Sequence, residues 1–462
     1  MRPRLAAAVA AGQLATFLSR RLGVGGGTTA PGHLVRALDP GAIASIATRI
    51  PRGTIVVTGT NGKTTTSRMI STLLRKAGLR VMHNRSGANL IVGIASTLVN
   101  GSTLAGNPRA DVGLFEVDEA AFPVAVQELH PRLCVLTNLF RDQLDRYGEV
   151  DYLSRLWRET LSGLPASSTV LLNADDPRIA SLGEKLSCRV LYYGIEDPSL
   201  GGATLAHAAD SRFCFHCGTP YDYPVVFYSH LGHYRCPSCG TARPAPELRA
   251  TGCELVGIEG SRLQLETPRG NVELEVRVPG VYNVYNALAA AGVGVAMGIE
   301  LEAVRAGLAG FSAAFGRVER VQMEGRQLFL ALVKNPVGFN EVLSTLLREP
   351  GQKPLMIVIN DLFADGTDVS WLWDVDFEML AGRVRFAVAS GLRATDMAVR
   401  LKYAGVDPAL ISVEPDSSRA LQQALRDTPE GETLYLLPTY TAMLEVRGKL
   451  AEAGHLPPFW ED

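Results

Sequence analysis

The chain has 462 residues with 45 basic and 47 acidic side chains, a formal charge of −2, so no basic excess marks nucleic acid as a partner. Hydrophobic residues at 47% and charged residues at 20% exclude a disordered or fibrous chain and describe a globular protein of about two to four domains.

In residues 1–23, Arg2 and Arg4 precede an Ala-rich stretch broken by Gln13 and Thr16 and closed by Arg20-Arg21, just before the glycine-rich run 23–27. This predicts an amphipathic helix rather than a signal peptide. It is too short to span a bilayer but of a type that can lie on a lipid surface, consistent with a cytoplasmic protein at the inner face of the membrane. Residues 1–50 are expected to form this N-terminal helical segment.

The apolar run Thr54, Ile55, Val56, Val57 predicts a strand. It feeds Thr58-Gly59-Thr60-Asn61-Gly62-Lys63-Thr64-Thr65-Thr66, a glycine loop that opens a helix. Gly59 and Gly62 let backbone N–H groups turn inward, Lys63 is placed to reach the β/γ-phosphates of a nucleotide, and the Thr64 hydroxyl is a candidate Mg²⁺ ligand. The loop is a shortened form of G-x-x-x-x-G-K-[ST], because Val57 stands where the first glycine belongs.

Beyond it come a predicted helix at 69–77 and strands near Val81 and at 113–117, 133–137, 170–172 and 190–193. Such alternation implies a mainly parallel sheet covered on both faces, with ligand loops at the strand C-termini. From about Gly201 to Arg277 the texture changes. Cys214-x-x-Cys217 and Cys236-x-x-Cys239, eighteen residues apart and each followed by a glycine (Gly218, Gly240), match the two knuckles of a zinc ribbon with a structural Zn²⁺. A pair of disulfides fits a reducing compartment poorly. Cys134, Cys188 and Cys253 read as core. Residues 260–278 alternate like a hairpin, so the whole stretch is expected to be an insertion with its own small core. Helices at 284–297 and 301–308 close the domain. A second alternating unit starts at 316, with strands at 328–333, 354–359, 384–389, 411–413 and 433–437. The expected fold class is therefore α/β: a central P-loop domain, 51–315, with a parallel sheet and a zinc-ribbon insertion at about 205–247, then a C-terminal α/β domain, 316–462.

The loop Gly59-Thr60-Asn61-Gly62-Lys63-Thr64 resembles the ATP loop of the Mur ligase superfamily, which joins carboxylates to amines through acyl phosphates, and further segments extend the resemblance. Glu116 in Glu116-Val117-Asp118-Glu119 ends the strand facing the loop, where the resemblance implies an Mg²⁺ ligand. Thr137-Asn138 followed by residues 141–148 resembles T-N-x-x-x-D-H-L-D-x-H-G, with Gln143 in place of the first His. Residues 172–177 resemble the adenine-side motif, which implies Asn173 as a base contact. Gly280-Val281-Tyr282-Asn283-Val284-Tyr285-Asn286 resembles G-x-H-N-x-x-N, with Asn286 as a ligand contact and Asn283 either a ligand contact or a cap. Gly316-Arg317-Val318-Glu319 resembles G-R-x-E, whose Arg approaches the γ-phosphate, and Lys334-Asn335-Pro336 stands where other members have H-N-P. The implied ATP-binding set is Gly59, Thr60, Asn61, Gly62, Lys63, Thr64, Thr65, Asn173, Asn286 and Arg317. Lys63, Glu116 and Arg317 would be catalytic. No lysine occurs between Lys76 and Lys185 to supply the carbamylated residue that amino-acid-adding members place at a second Mg²⁺.

About fifty residues precede the loop, too few for the N-terminal UDP-binding domain of full-length amino-acid-adding members. Together with the zinc knuckles, Gln143 and the stretch 360–378, this resembles the branch formed by the ATP-binding subunits of lipid II isoglutaminyl synthase. The resemblance implies amidation of the D-glutamate α-carboxylate of lipid II, at the membrane surface, to D-isoglutamine. Ammonia would come from a separate class I glutamine amidotransferase subunit, GatD, in a heterodimer, since a glutaminase needs a Cys–His pair and the clustered cysteines are committed to metal. In Asp365-Gly366-Thr367-Asp368, Asp368 would complete the partner's Cys–His pair; alternatively it caps the helix before Ser370 and Trp371. The competing functions are an amino-acid-adding Mur or folylpolyglutamate-type ligase and a zinc scaffold with an inactive loop.

Overall fold

The computed structural model describes residues 3–21, 29–84, 87–141, 150–203, 205, 209–311 and 318–456. In the first half, β1 (Thr54–Thr58), β2 (Val81–His83), β3 (Val112–Glu116), β4 (Leu133–Leu136), β5 (Thr169–Asn173) and β6 (Arg189–Ile195) alternate with helices. β7 (Asp222–Tyr228) and β8 (Leu231–Arg235) form a separate ribbon, and β9 (Leu248–Val256), β10 (Gly260–Thr267) and β11 (Gly270–Val276) follow. One nine-stranded sheet runs β11-β10-β9-β6-β5-β4-β1-β3-β2. It is parallel from β9 to β2 and antiparallel at the β9-β10-β11 edge.

Alternate residues of the central strands serve two cores. Ile55, Val57, Leu133, Val135 and Leu171 face the helices Lys63–Lys76 and Val281–Ala296, while Val56, Phe115, Cys134, Leu136, Val170 and Leu172 face the other side. Burial on both faces explains why these strands are nearly unbroken apolar runs. The order reverses at β1, which lies between β4 and β3, so the crevice beyond its C-terminal end is where a doubly wound sheet accepts a ligand.

The N-terminal helix Pro3–Arg21 buries Leu5, Ala8 and Val9 and approaches the helix Ala30–Leu38 through Gly12, where a Cβ would come within 2.5 Å of Val35. Gln13 ties it to the helix Ile91–Asn100 by donating to the carbonyls of Val99 and Ser102, each at 3.0 Å. Its outer face leaves Leu14, Phe17 and Leu18 exposed. Among the described residues no helix is long and apolar enough to cross a membrane.

The C-terminal domain holds β12 (Glu319–Met323), β13 (Arg326–Leu330), β14 (Lys353–Val358), β15 (Val384–Ser390), β16 (Ile411–Val413) and β17 (Thr433–Pro438), in the order β12-β13-β17-β14-β15-β16. β13 through β16 are parallel, and β12 adds an antiparallel edge. A buried ion pair, Arg447 Nε to Glu319 Oε1 at 2.9 Å, fastens that edge.

Two expectations are corrected. The stretch 201–277 is not one insertion with its own core: β9, β10 and β11 extend the main sheet, and Leu263, Leu265 and Leu274 bury into its core, so only the β7–β8 ribbon with its knuckles keeps a sheet of its own, packed on that core through Phe227, Tyr228 and Leu231. The alternation of β10 and β11 reads the same for an isolated hairpin as for a sheet edge; parallel pairing of β9 with β6 decides it. The helix after the glycine loop begins at Lys63 rather than near 69, because its polar first turn carries no apolar period.

Asp175, fully buried after β5, joins the ribbon to the sheet. It accepts from the Arg243 guanidinium, from Tyr285 Oη at 2.7 Å and from the Ile195 amide at 2.9 Å, while Arg243 also reaches Glu196 at 2.7 Å. Burial raises the Asp175 carboxyl above its ordinary range despite these partners. Arg243→Ala strands a buried carboxylate and should cost about 3–5 kcal/mol. Thermal melting checks this, and an unchanged midpoint would contradict the pairing.

Candidate active site

The turn from β1 into the helix Lys63–Lys76 requires both glycines. Gly59 has φ 137° and a Cβ there would sit 2.1 Å from Thr137 Oγ1; Gly62, at φ 85°, would place one 2.2 Å from Asn286 Oδ1. The loop is held from three sides. Asn138 accepts from the Asn61 amide at 2.8 Å and donates to the Asn61 carbonyl at 3.0 Å. The Thr60 hydroxyl bridges the amide and carbonyl of Phe140, both at 3.0 Å. Asn335, the N-cap of the helix Pro336–Leu347 in the C-terminal domain, donates to Asn61 Oδ1 at 3.0 Å.

Lys63 folds back over the loop. Its Nζ donates to the Gly59 carbonyl at 2.6 Å, the Thr60 carbonyl at 3.2 Å and Glu119 Oε2 at 2.9 Å, with both charged side chains nearly buried. Thr64 Oγ1 lies 3.0 Å from Glu116 Oε1. Asn84 brackets Glu116 by accepting from its amide and donating to its carbonyl, each at 2.9 Å, and the Trp157 indole donates to the Glu119 carbonyl at 3.0 Å. Two hard oxygen donors this close at the head of a phosphate loop fit Mg²⁺, which takes a Ser/Thr hydroxyl and one or two carboxylates there.

The loop forms one wall of a cleft between the domains, lined by Asn61, Gly62, Thr64, Thr65, Asn138 and Asn286 and, opposite, by Val337, Gly338 and Glu341. Asn286 Oδ1 accepts from Thr66 Oγ1 at 3.1 Å, and Asn286 Nδ2 donates to Asn283 Oδ1 at 2.9 Å. Asn283 sits inside the helix, whose N-cap is Gly280, and donates to the Pro279 carbonyl at 2.7 Å. Asn173 is fully buried, donates to the Thr137 carbonyl at 3.1 Å and accepts from the Asp175 amide at 3.0 Å, so its amide ties together the loops beyond β4 and β5. Arg317, Gly316 and residues 142–148, including Gln143, lie outside the described residues. Asp368 is distant in sequence from the loop and exposed; its Oδ1 accepts from the Ser370 amide at 2.8 Å, a bond that holds its carboxyl below the ordinary range, while the N-cap of the helix Ser370–Asp374 is Val369.

Sequence reasoning quoted Glu119 and Asn335 but assigned them nothing, and it did not single out Asn84 or Glu341. Glu119 could have been suspected from its place three residues after Glu116. Asn84, Asn335 and Glu341 come from other segments, and only the fold brings them here.

The four sulfurs of Cys214, Cys217, Cys236 and Cys239 lie within 4.8 Å of one another, with Cys214 to Cys239 at 3.6 Å and Cys217 to Cys236 at 3.4 Å. Sulfurs about 2.3 Å from a tetrahedral zinc are roughly 3.8 Å apart, so the set fits such an ion. Each knuckle closes the same way, Cys214 on Thr219 and Cys236 on Thr241, and turns at a glycine with φ near 75° (Gly218 at 74°, Gly240 at 76°). The ribbon reaches the nucleotide loop through His230, fully buried at the β7–β8 turn, whose ring lies 4.7 Å from that of Phe140.

A glycine loop at a sheet's switch point, carboxylates facing it and a second α/β domain across the cleft define a ligase fold of the Mur type. Residues 57–224 match the Mur ligase middle domain and residues 332–443 the MurT ligase C-terminal family. Solved relatives agree on the fold: MurF from Acinetobacter baumannii (TM-score 0.66, 19% identity, covering 91% of this chain and 81% of that one), and a pseudomurein peptide ligase type C from Methanothermus fervidus (TM-score 0.65, 23% identity, 87% and 78%). Among curated proteins, the chain is similar to the MurT subunit of lipid II isoglutaminyl synthase (glutamine-hydrolyzing) from Staphylococcus aureus strain N315. The two are 32% identical over 454 residues, 96% of this chain and 97% of the relative. The Streptococcus pneumoniae R6 subunit of the same name is 33% identical over 445 residues, 96% of each. The chain belongs to the MurT family.

Purified in reducing buffer, the chain should carry about one tightly held metal ion, since four thiolates close the site. Cys214→Ser should lose the ion and lower the melting temperature. Full metal content in that variant would refute the four-sulfur site.

Proposed function

We propose that the chain is the ATP-dependent synthetase subunit of a glutamine-hydrolysing lipid II isoglutaminyl synthase, converting the D-glutamate α-carboxylate of the stem peptide to the amide through an acyl phosphate. The observation that carries this reading is the cradle built by Gly59, Gly62, Lys63 and Thr64 opposite Glu116, in a chain that matches MurT subunits over nearly its whole length. A carboxylate is a poor electrophile, and phosphorylation gives it a leaving group.

In this reading ATP enters the cleft along Asn61, Thr65 and Asn286, with the loop amides on its phosphates. Lys63 exchanges its bond to Glu119 for the β/γ-phosphates and offsets charge on the phosphoryl group in flight, a task shared with Arg317. Thr64 and Glu116 would hold Mg²⁺, which supplies charge neutralisation between the phosphates. The cysteine set would hold a structural Zn²⁺.

Ammonia would come from a class I glutaminase of the GatD type. Asp368 is exposed, and in the same stretch of the C-terminal domain Leu362, Phe363 and Trp373 are 50%, 91% and 56% exposed, apolar side chains of a kind that suits a protein partner. There Asp368 would orient the partner's histidine. The apolar outer face of the helix Pro3–Arg21, in a stretch with no acidic residue before Asp39, supports a cytoplasmic location against the membrane that holds lipid II. An amino-acid-adding reaction is disfavoured by the absence of a lysine between Lys76 and Lys185.

Lipid II incubated with the chain, its glutaminase, ATP and glutamine should gain an amide, read by mass spectrometry. Asp368→Asn should suppress the glutamine-driven reaction, by up to roughly 10⁴-fold for an orienting acid, and leave ammonium-driven synthesis largely intact. Equal loss with both nitrogen sources in an assembled complex would remove Asp368 from the glutaminase site; no amide from either source with wild type would overturn the function.

A further inference from the structure

A second, larger cavity lies behind the nucleotide cleft. Its walls are the β7–β8 ribbon on one side and, on the other, the segment from Trp373 to Met379 with Arg400. The two cavities share Tyr228, Val337 and Glu341, so these residues form the neck between them. The far cavity is also bounded by Trp373, in the short helix Ser370–Asp374 whose first amide donates to Asp368, so it runs toward the segment that carries Asp368.

Both polar groups at the neck lack a protein partner. Among the described residues, neither the Glu341 carboxyl nor the Tyr228 hydroxyl has a hydrogen bond or ion pair, although Tyr228 is only 5% exposed and its ring is fixed between Phe140 and Tyr285, at 5.8 and 5.6 Å. Glu341 is half-buried, and both groups line the two cavities rather than packing against protein, so their hydrogen-bonding capacity is open to a small ligand at the constriction. The sign of the surroundings favours a cation: Asp374, Asp376 and Glu378 line the far cavity against Arg400 alone. On the cleft side the charged neighbours are Lys334 and Arg68, which would resist a cation going further.

We propose that Glu341 and Tyr228 form an ammonium site at this neck, through which ammonium is admitted from the far cavity and delivered to the nucleotide cleft as ammonia. The proposal rests on the amidation reading above. Ammonium gives one proton to the Glu341 carboxylate: an N–H bond breaks, an O–H bond forms, and neutral ammonia passes on to the acyl phosphate. The carboxylic acid then returns its proton to water in the far cavity, and no oxidant or reductant is involved. Burial, only partly offset by Arg348 at the end of the same helix, pushes the Glu341 carboxyl up to about 8; an ammonium seated beside it favours the ionised form, which is then basic enough to take the proton.

The test uses the full chain with lipid II and ATP, supplied either with ammonium chloride or, in complex with its glutaminase, with glutamine. Glu341→Gln should raise the KM for ammonium by about tenfold or more, the worth of one charge-assisted hydrogen bond, while the KM for ATP and the melting temperature stay near wild type. Glu341→Asp should recover part of that loss, and Tyr228→Phe should raise the same KM if the glutamate variant folds poorly. With glutamine, the glutamine hydrolysed per amide formed should increase as ammonia escapes. An ammonium KM in Glu341→Gln and Tyr228→Phe within about twofold of wild type would overturn the ammonium site and leave the function standing. Failure of wild type to form any amide would overturn both.

Discussion

A lysine ammonium buried at the start of a helix must be neutralised, and here Glu119 does so at 2.9 Å. Much of the site follows from that pair. Glu119 is held by Trp157 through its carbonyl, and Lys63 is held by the carbonyls of Gly59 and Thr60, so the charge sits at a defined point above the loop. The pair is buried, and an ion pair of this kind gains little stability over an apolar substitute, so its value lies in placement. A phosphate arriving at the loop would compete with Glu119 for a cation already desolvated and oriented, which lowers the reorganisation needed in the reaction.

The same point is fixed from outside the domain. Asn335 of the C-terminal domain reaches Asn61 in the loop, and the β9–β10 turn meets that domain where the Ile258 amide donates to Glu349 and Arg320 to the Ile258 carbonyl. The strands assigned to an insertion in the sequence reading thus help dock the second domain. The cysteine ribbon contributes from a third direction, through Phe140 and His230 on the loop and Arg243 on Asp175. Nucleotide cradle, metal ribbon and second domain are one packed unit.

Local sequence carried what depends on local backbone. The loop glycines, the apolar strands before and after them and the paired cysteines announce themselves because each needs a particular conformation or ligand spacing within a few residues. The sheet edge formed by β9, β10 and β11 did not, since alternation cannot tell a sheet's rim from a free hairpin, and β12 was passed over because Glu319-Arg320-Val321-Gln322 has only one inward apolar residue. For Asn173 a motif gives only the position along the chain; the bond from its amide to the Thr137 carbonyl beyond β4 comes from the fold. Glu341 and Asn84 carry no local signal; they reach the site by folding alone.

In the proposed reaction the substrate carboxylate is activated by ATP as an acyl phosphate before nitrogen attacks. Lipid II bearing a heavy-oxygen label in the D-glutamate α-carboxylate tests it directly. After a round of amidation with ammonium and ATP, one labelled oxygen should appear in the inorganic phosphate for each amide formed, because the carboxylate oxygen leaves with the phosphoryl group. Unlabelled phosphate accompanying full amide yield would contradict the account.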